Sequence, residues 1–317
     1  MKCFSLFSGI GGFDLAARNL GHEIIGACEI DKYARYVYAK HFPGVPIYQD
    51  ATKINPDNLP DFDILVAGFP CQSFSIAGKR RGFDDTRGTL FFEIARIAQK
   101  KRPQYMLLEN VKGLLSHERG KTIREIYRVL DELGYDTESR IINTKDFLPQ
   151  NRERIFIIAT LRGTSTREIF PLRESIKINN KSRLQTEKER KRIQNQTSGT
   201  IDANYHKGEG SRTMIVTHQS KFQQNRIYNP KEISQTLSSN GGGWGAKTGI
   251  YNIKQRVRRL TPTECSRLQG FSDNYTEGIS DTQRYRCLGN AVTVPVVQYI
   301  LSHITRQTKD SQEKVKN

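Results

Sequence analysis

The chain has 317 residues, 36% hydrophobic and 26% charged, enough for a large packed core with a smaller lobe and unlike a disordered chain. Fifty Lys and Arg against 33 Asp and Glu give a formal net charge of +17, which calls for a polyanionic partner or serves solubility alone. Five scattered cysteines exclude a paired disulfide framework and lack zinc spacing, so they are expected to be reduced thiols with no metal. No apolar run approaches the roughly 18–20 residues of a membrane span, and the N-terminus does not read as a secretory leader. A cytoplasmic protein without membrane contact is expected.

In chain order, short apolar runs at 3–7, 24–30, 64–67, 105–109 and 155–159 read as buried strands. Between them, Leu90, Phe91, Ile94 and Ile97 fall at helical spacing, as do Ile123, Ile126, Tyr127, Leu130 and Leu133. The alternation predicts an α/β fold with a doubly wound, mostly parallel sheet over 1–163. Polar sequence follows, with a charge-dense stretch at 181–192 and the run Gly241-Gly242-Gly243-Trp244-Gly245, so 164–257 is assigned to a second, irregular lobe. That lobe holds 17 Lys and Arg against 7 Asp and Glu, whereas 1–163 hold 24 against 20. Such a concentration suits phosphate neutralisation, which gives affinity without sequence information. Regular sequence resumes over 258–317, where 292–304 predicts a helix returning to the first domain.

The segment Phe4-Ser5-Leu6-Phe7-Ser8-Gly9-Ile10-Gly11-Gly12-Phe13 predicts a strand, a glycine turn and a helix starting near Asp14. Glycines there let backbone amides approach a ligand, although a glycine turn also serves merely to join strand to helix. Glu29 ends the next strand 17 residues after Gly12, where nucleotide-binding domains place an acid for ribose hydroxyls. Asp50 follows a third apolar stretch. Either acid alone reads as a solvated carboxylate; together, at successive strand ends, they favour an adenosine-containing ligand.

Gly68-Phe69-Pro70-Cys71-Gln72 follows the strand at 64–67 and sets Cys71 at the carboxyl edge of the sheet, where such folds bind ligands. An isolated cysteine is otherwise a small buried hydrophobe. Glu109-Asn110-Val111 brings an acid to the same edge, unless Glu109 is an ordinary strand-end acid or cap. In Gln150-Asn151-Arg152-Glu153-Arg154, an extended backbone would put Gln150, Arg152 and Arg154 on one face.

These motifs, followed by Gly289-Asn290-Ala291-Val292, stand in one order that resembles the DNA cytosine-5 methyltransferases over nearly the whole chain. The resemblance implies an S-adenosyl-L-methionine-dependent methyltransferase fold with a target-recognition lobe. It implies a reaction in which Cys71 attacks C6 of cytosine, Glu109 contacts N3 and the exocyclic amine, and C5 takes the methyl group. Arg154 then matches the arginine that contacts the cytosine carbonyl and holds the acid, with Arg152 and Gln72 as positioning residues. For the cofactor, it implies Phe7 on adenine, Gly9, Gly11 and Gly12 beside the methionine portion, Glu29 at ribose and Asp50 at the adenine amine. Pro70, Leu90 and Asn290 would close the pocket, and S-adenosyl-L-homocysteine is the second product. Two positions depart from the pattern. Ser5 stands where Asp is common, and Ile30 stands where an aromatic packs adenine.

The partner implied is double-stranded DNA with the target base flipped out. The loop at 73–89 carries Lys79, Arg80, Arg81 and Arg87 for phosphates, with Gly78, Gly82 and Gly88 as hinges, or else is a plain basic loop. In the second lobe, Thr236-Leu237 matches a recurring dipeptide, Gln223 would fill the place of the flipped base, and Arg226 would read a guanine in a short GC-rich palindrome such as GCGC. A monomeric enzyme of a restriction-modification system follows, with a cognate endonuclease that it does not touch. Two other readings are a tRNA cytosine-5 methyltransferase and an inactive DNA-binding regulator. The basic lobe argues against the first, and intact Cys71, Glu109 and Arg154 argue against the second.

Overall fold

The computed structural model describes residues 1–70, 90–164, 169–170, 227–228, 250–253, 256–258 and 260–316. Cys71, Gln72, Lys79, Arg80, Arg81, Arg87, Gln223, Arg226 and Thr236 lie outside the described residues, as do the rest of the 73–89 loop and most of 164–257. The chain divides into two compact units. The first comprises Met1–Ile142, Arg154–Leu172 and Val297–Asn317; the second comprises Asn143–Glu153 and Arg173–Val296.

The first unit is built on strands β1 (Lys2–Leu6), β2 (Glu23–Cys28), β3 (Ile47–Tyr48), β4 (Ile64–Gly68), β5 (Tyr105–Val111), β6 (Tyr135–Asn143) and β7 (Glu153–Leu161). They form one sheet in the order β3-β2-β1-β4-β5-β7-β6. The pairs from β3 through β5 are parallel, and β7 runs antiparallel to β5. The sheet is therefore mixed, and its parallel part is the doubly wound portion expected.

Alternation along the strands explains the unbroken apolar runs. Leu65, Ala67, Met106, Leu108, Ile155, Ile157 and Ala159 form one core layer with the buried faces of α3 (Leu90–Lys101) and α4 (Lys121–Glu132). The intervening Ile64, Val66, Tyr105, Leu107, Phe156 and Ile158 are also buried, so both faces of these strands are covered. Helices α1 (Gly12–Asn19) and α2 (Lys32–His41) follow β1 and β2, and Tyr38 and Phe42 pack with Ala27 of β2.

In the second unit, α5 (Pro262–Gln269) starts at a capping box in which Thr261 and Glu264 satisfy each other's backbone amides. It packs with α6 (Asp281–Asn290). Strands β8 (Ile227–Tyr228), β9 (Ile250–Ile253) and β10 (Arg256–Arg258) form a small sheet in the order β10-β9-β8. The last helix, α7 (Val294–Lys316), belongs to the first unit from Val297 onward; it begins two residues later than 292–304 suggested and runs further. Length and composition would let Asp281–Thr308 pass as a membrane span. However, 67% of its most apolar window is buried and the backbone is extended at Ala291, which marks core helices.

Candidate active site

Because β1 to β5 are parallel, their carboxyl ends share one sheet edge. Phe7 follows β1, Glu29 follows β2, Asp50 lies just beyond β3, Phe69 and Pro70 follow β4, and Glu109 lies within β5. Strand order reverses between β1 and β4: from β1 the chain proceeds outward through β2 and β3, then returns to β4 on the other side. Ligands of open α/β sheets settle at such a reversal.

The turn after β1 is bent by Phe7 at φ 55°, Gly9 at φ 56° and Gly11 at φ 86°. A Cβ on Gly11 would come within 2.4 Å of Phe42 Cε2, so this glycine is required both by φ and by the close approach of α2. A Cβ on Gly9 would meet nothing within 4 Å, so the turn is open on that side. Glu29 fixes the turn. Its Oε2 accepts from Gly9 N at 2.8 Å and its Oε1 from Asp31 N at 2.7 Å, while burial raises its pKa. With the Ile30 amide acting on it as well, the carboxylate still has acceptor capacity for a further donor.

Beside it, a cleft of about 380 Å³ is lined by Ile30, Arg35, Tyr48, Gln49, Asp50, Lys53 and Ile54. Ile30 is 75% exposed there, an unusual position for a large apolar side chain and one suited to covering a flat ring. Asp50 Oδ1 accepts from Thr52 N and Thr52 Oγ1 at 3.0 and 2.7 Å, which hold its carboxyl below the usual range. The structure thus brings Ile30 and Asp50 together. Pro70 is exposed and Leu90 half-buried, on either side of 71–89.

Further along the edge, Glu109 pairs in register with Phe156, so Arg154, two residues back on β7, shares its face. Arg154 Nε lies 3.1 Å from Glu109 Oε1, and both side chains are only 11% exposed. Asn110 has a role that sequence reading did not assign. Its Nδ2 donates to Phe69 O at 2.9 Å and its Oδ1 accepts from Val111 N, tying β5 to the residue before Pro70. The signal was present as a polar residue inside an apolar strand.

Gln150 and Arg152 precede β7, which starts at Glu153, so the extended strand that includes Arg154 does not include them. In the second unit, Gln150 Nε2 donates to Leu268 O at 2.7 Å. The Arg152 guanidinium donates to Ala291 O at 2.9 Å and to Gly289 O at 3.3 Å, and is buried. It thereby grips both sides of Asn290, whose side chain is exposed at the end of α6. Gln269 Nε2 donates to Leu288 O at 2.8 Å, and Thr293 Oγ1 donates to Gln269 Oε1 at 2.9 Å, completing a buried polar frame under this turn.

A mixed α/β sheet with a glycine turn at its switch point, and acids and an open cleft at the neighbouring strand ends, has the architecture of a nucleotide-binding α/β enzyme. Residues 1–306 match the family model of the C-5 cytosine-specific DNA methylases. The Type II methyltransferase M.HhaI of Haemophilus parahaemolyticus is 38% identical over 309 residues, covering 96% of this chain and 94% of that protein. M.NgoBI of Neisseria gonorrhoeae is 40% identical over 298 residues, covering 94% and 90%. A structure of a putative DNA modification methyltransferase from an E. coli prophage superposes with a TM-score of 0.68 at 21% identity, covering 98% of this chain and 99% of that one. The S. pombe Dnmt2 methyltransferase gives 0.66 at 24% identity, covering 95% and 97%; these two likenesses concern the fold.

The chain belongs to the C-5 cytosine-specific DNA methylase family. It is an enzyme that methylates C5 of cytosine in DNA with S-adenosyl-L-methionine as methyl donor. The residues present fit that donor: the turn is open at Gly9, Glu29 keeps acceptor capacity, and Ile30 is uncovered in the adjoining cleft.

Proposed function

We propose that Cys71 is the nucleophile of this reaction and that Glu109 and Arg154 prepare the target cytosine for it. The observation that carries the reading is the buried Glu109–Arg154 pair, set in register beside Gly68 of β4, three residues before Cys71. Addition of the Cys71 thiolate to C6 moves electron density toward C5, which is not nucleophilic enough alone. Glu109 engages N3 and the exocyclic amine, and Arg154 engages the base carbonyl while keeping the carboxyl in place. Bound S-adenosyl-L-methionine supplies an electrophilic methyl group and leaves as S-adenosyl-L-homocysteine. Loss of the C5 proton and departure of Cys71 restore the aromatic ring. Arg152, spent on the carbonyls of Gly289 and Ala291, acts as a positioning residue.

The same reading puts Phe7 and Ile30 on adenine, Asp50 at its amine, Glu29 at ribose, and Gly9, Gly11 and Gly12 at the methionine portion. Pro70, Leu90 and Asn290 close the pocket. The DNA is a duplex with its cytosine flipped out, held by Gln72 and a closing 73–89 loop with Lys79, Arg80, Arg81 and Arg87. Within the 164–257 lobe, Gln223, Arg226 and Thr236 serve target recognition. The curated relatives M.HhaI and M.NgoBI are named Type II methyltransferases, which supports a modification enzyme with a cognate endonuclease; a monomeric state and a cytoplasmic location belong to the same proposal.

A duplex carrying 5-fluorocytosine tests the nucleophile, since fluorine cannot leave as a proton does. Wild type is expected to form a covalent protein–DNA adduct, and Cys71→Ser is expected to form none and to lose methyl transfer. An unchanged transfer rate in Cys71→Ser refutes the reading.

A further inference from the structure

Asp14 is the only carboxylate among the described residues with no exposed surface at all. It is the third residue of α1, directly behind the turn of Gly9, Gly11 and Gly12. Its Oδ1 accepts from Tyr38 OH at 3.0 Å, whereas its Oδ2 has no hydrogen-bond partner. Ser5, from β1, comes near enough to favour the ionised form, yet its Oγ completes no hydrogen bond. Arg18 acts on Asp14 through space, while its guanidinium donates to His41 O at 2.8 Å and lies over the Phe42 ring. The amino end of α1 offers partial compensation. A buried carboxylate with no counter-ion is a standing cost to the fold, and an uncharged side chain of the same size would avoid it.

What is missing is a positive charge at the turn. S-Adenosyl-L-methionine carries one that its product lacks: the donor is a sulfonium, and the product sulfur is a neutral thioether. We propose that Asp14 is a specificity-determining residue whose carboxylate selects the cationic methyl donor over the uncharged-sulfur product. The proposal rests on the reading that the turn receives the methionine portion. It gives the buried charge a role in turnover, because a product bound less tightly than the donor is displaced by it.

The linkage has a direction. Burial pushes the Asp14 carboxyl up to about 6, with the Tyr38 hydroxyl the main influence holding it down, so the charge forms as pH rises past that point. Around Asp14, Cys3 of β1 has a thiol pushed up by burial and stays neutral. The other polar and charged groups acting on Asp14 are the Tyr38 and Ser5 hydroxyls and the Arg18 guanidinium. Glu29 is also raised, but it faces a ribose that donor and product share, so its effect cancels in a ratio of affinities.

Titration calorimetry of both ligands from pH 5 to 7.5 tests the idea without turnover. In wild type, preference for the donor over the product is expected to rise about fivefold across this range, the order expected for two charges several ångströms apart in protein. Asp14→Asn should still bind both ligands but with a flat preference, and Tyr38→Phe should move the inflection to higher pH. If Asp14→Asn keeps the wild-type profile, or weakens both ligands equally, the proposal is overturned. Should that variant not fold, an unmoved inflection in Tyr38→Phe overturns it equally. Gly9→Ala separates the underlying reading: wild-type affinity for both ligands in that variant would remove the donor from the turn and the proposal with it.

Discussion

Gly9 and Gly11 are two residues apart in one turn and both have positive φ, yet alanine should act at them in different ways. At Gly11 the new methyl group would sit 2.4 Å from Phe42 Cε2 and 3.1 Å from Tyr38 Cδ2. Phe42 cannot yield cheaply, since it is 3% exposed, stacked on Tyr38 at 4.5 Å and covered by Arg18. The left-handed backbone costs about 1 kcal/mol, and forcing a methyl into a packed site adds about 1–3 kcal/mol. Gly11→Ala should therefore lose about 2–4 kcal/mol. At Gly9 only the first cost applies, about 1 kcal/mol, because the space is open. The proposed reading puts the donor in that open space, so Gly9→Ala should lose at least tenfold in affinity for S-adenosyl-L-homocysteine while staying close to wild type in stability. Urea unfolding gives the stabilities and calorimetry the affinities. Equal destabilisation by the two substitutions would refute the packing account of Gly11.

Arg154→Ala leaves Glu109 buried without its cation, so it should destabilise by about 3 kcal/mol and reduce methyl transfer at least a hundredfold with product affinity unchanged. Single-turnover transfer and calorimetry on one preparation check the separation, and parallel losses would refute it. Asp14→Asn should change the pH dependence of stability. The folded pKa of about 6 lies above the ordinary 3.8, so this group's contribution is complete below the latter and is lost as pH rises through the former. Wild type should thus give up as much as about 3 kcal/mol between pH 4 and 7 that the asparagine variant keeps. Urea midpoints at pH 4 and 7 measure it, and identical slopes in both proteins would contradict the assignment.

The buried strands were legible because they are apolar on both faces and interrupted by glycine, proline or acids. The edge strands were not. β6, Tyr135–Asn143, alternates partly exposed polar residues without an apolar run, and β3 is two residues long, so neither carries a periodic signal. Nor does an apolar strand announce its direction, so the antiparallel pairing of β7 with β5 has no signature in the sequence. Helix α2 has only Ala34, Val37 and Tyr38 buried among charged and aromatic neighbours, too thin a stripe to stand out. The site acids Glu29, Asp50 and Glu109 were legible as strand ends. Asp14 was not, since a carboxylate in a first helical turn ordinarily reads as a dipole partner.

The polar motif residues divide into those that face open space and those that hold backbone, and sequence spacing does not distinguish them. Asn110 spends its amide on Phe69 O, Gln150 on Leu268 O, and Arg152 on Gly289 O and Ala291 O, so each grips main chain beside another motif. Glu29 does so for Gly9 and Asp31 while keeping acceptor capacity to spare. Main-chain carbonyls and amides are the same whatever residue carries them, so such contacts fix loop position without constraining the side chains that loop presents. A change at Asn110 or Arg152 therefore acts by displacing Pro70 or Asn290, and its effect on rate should follow geometry rather than charge: a shorter polar side chain at either position should be as damaging as an apolar one.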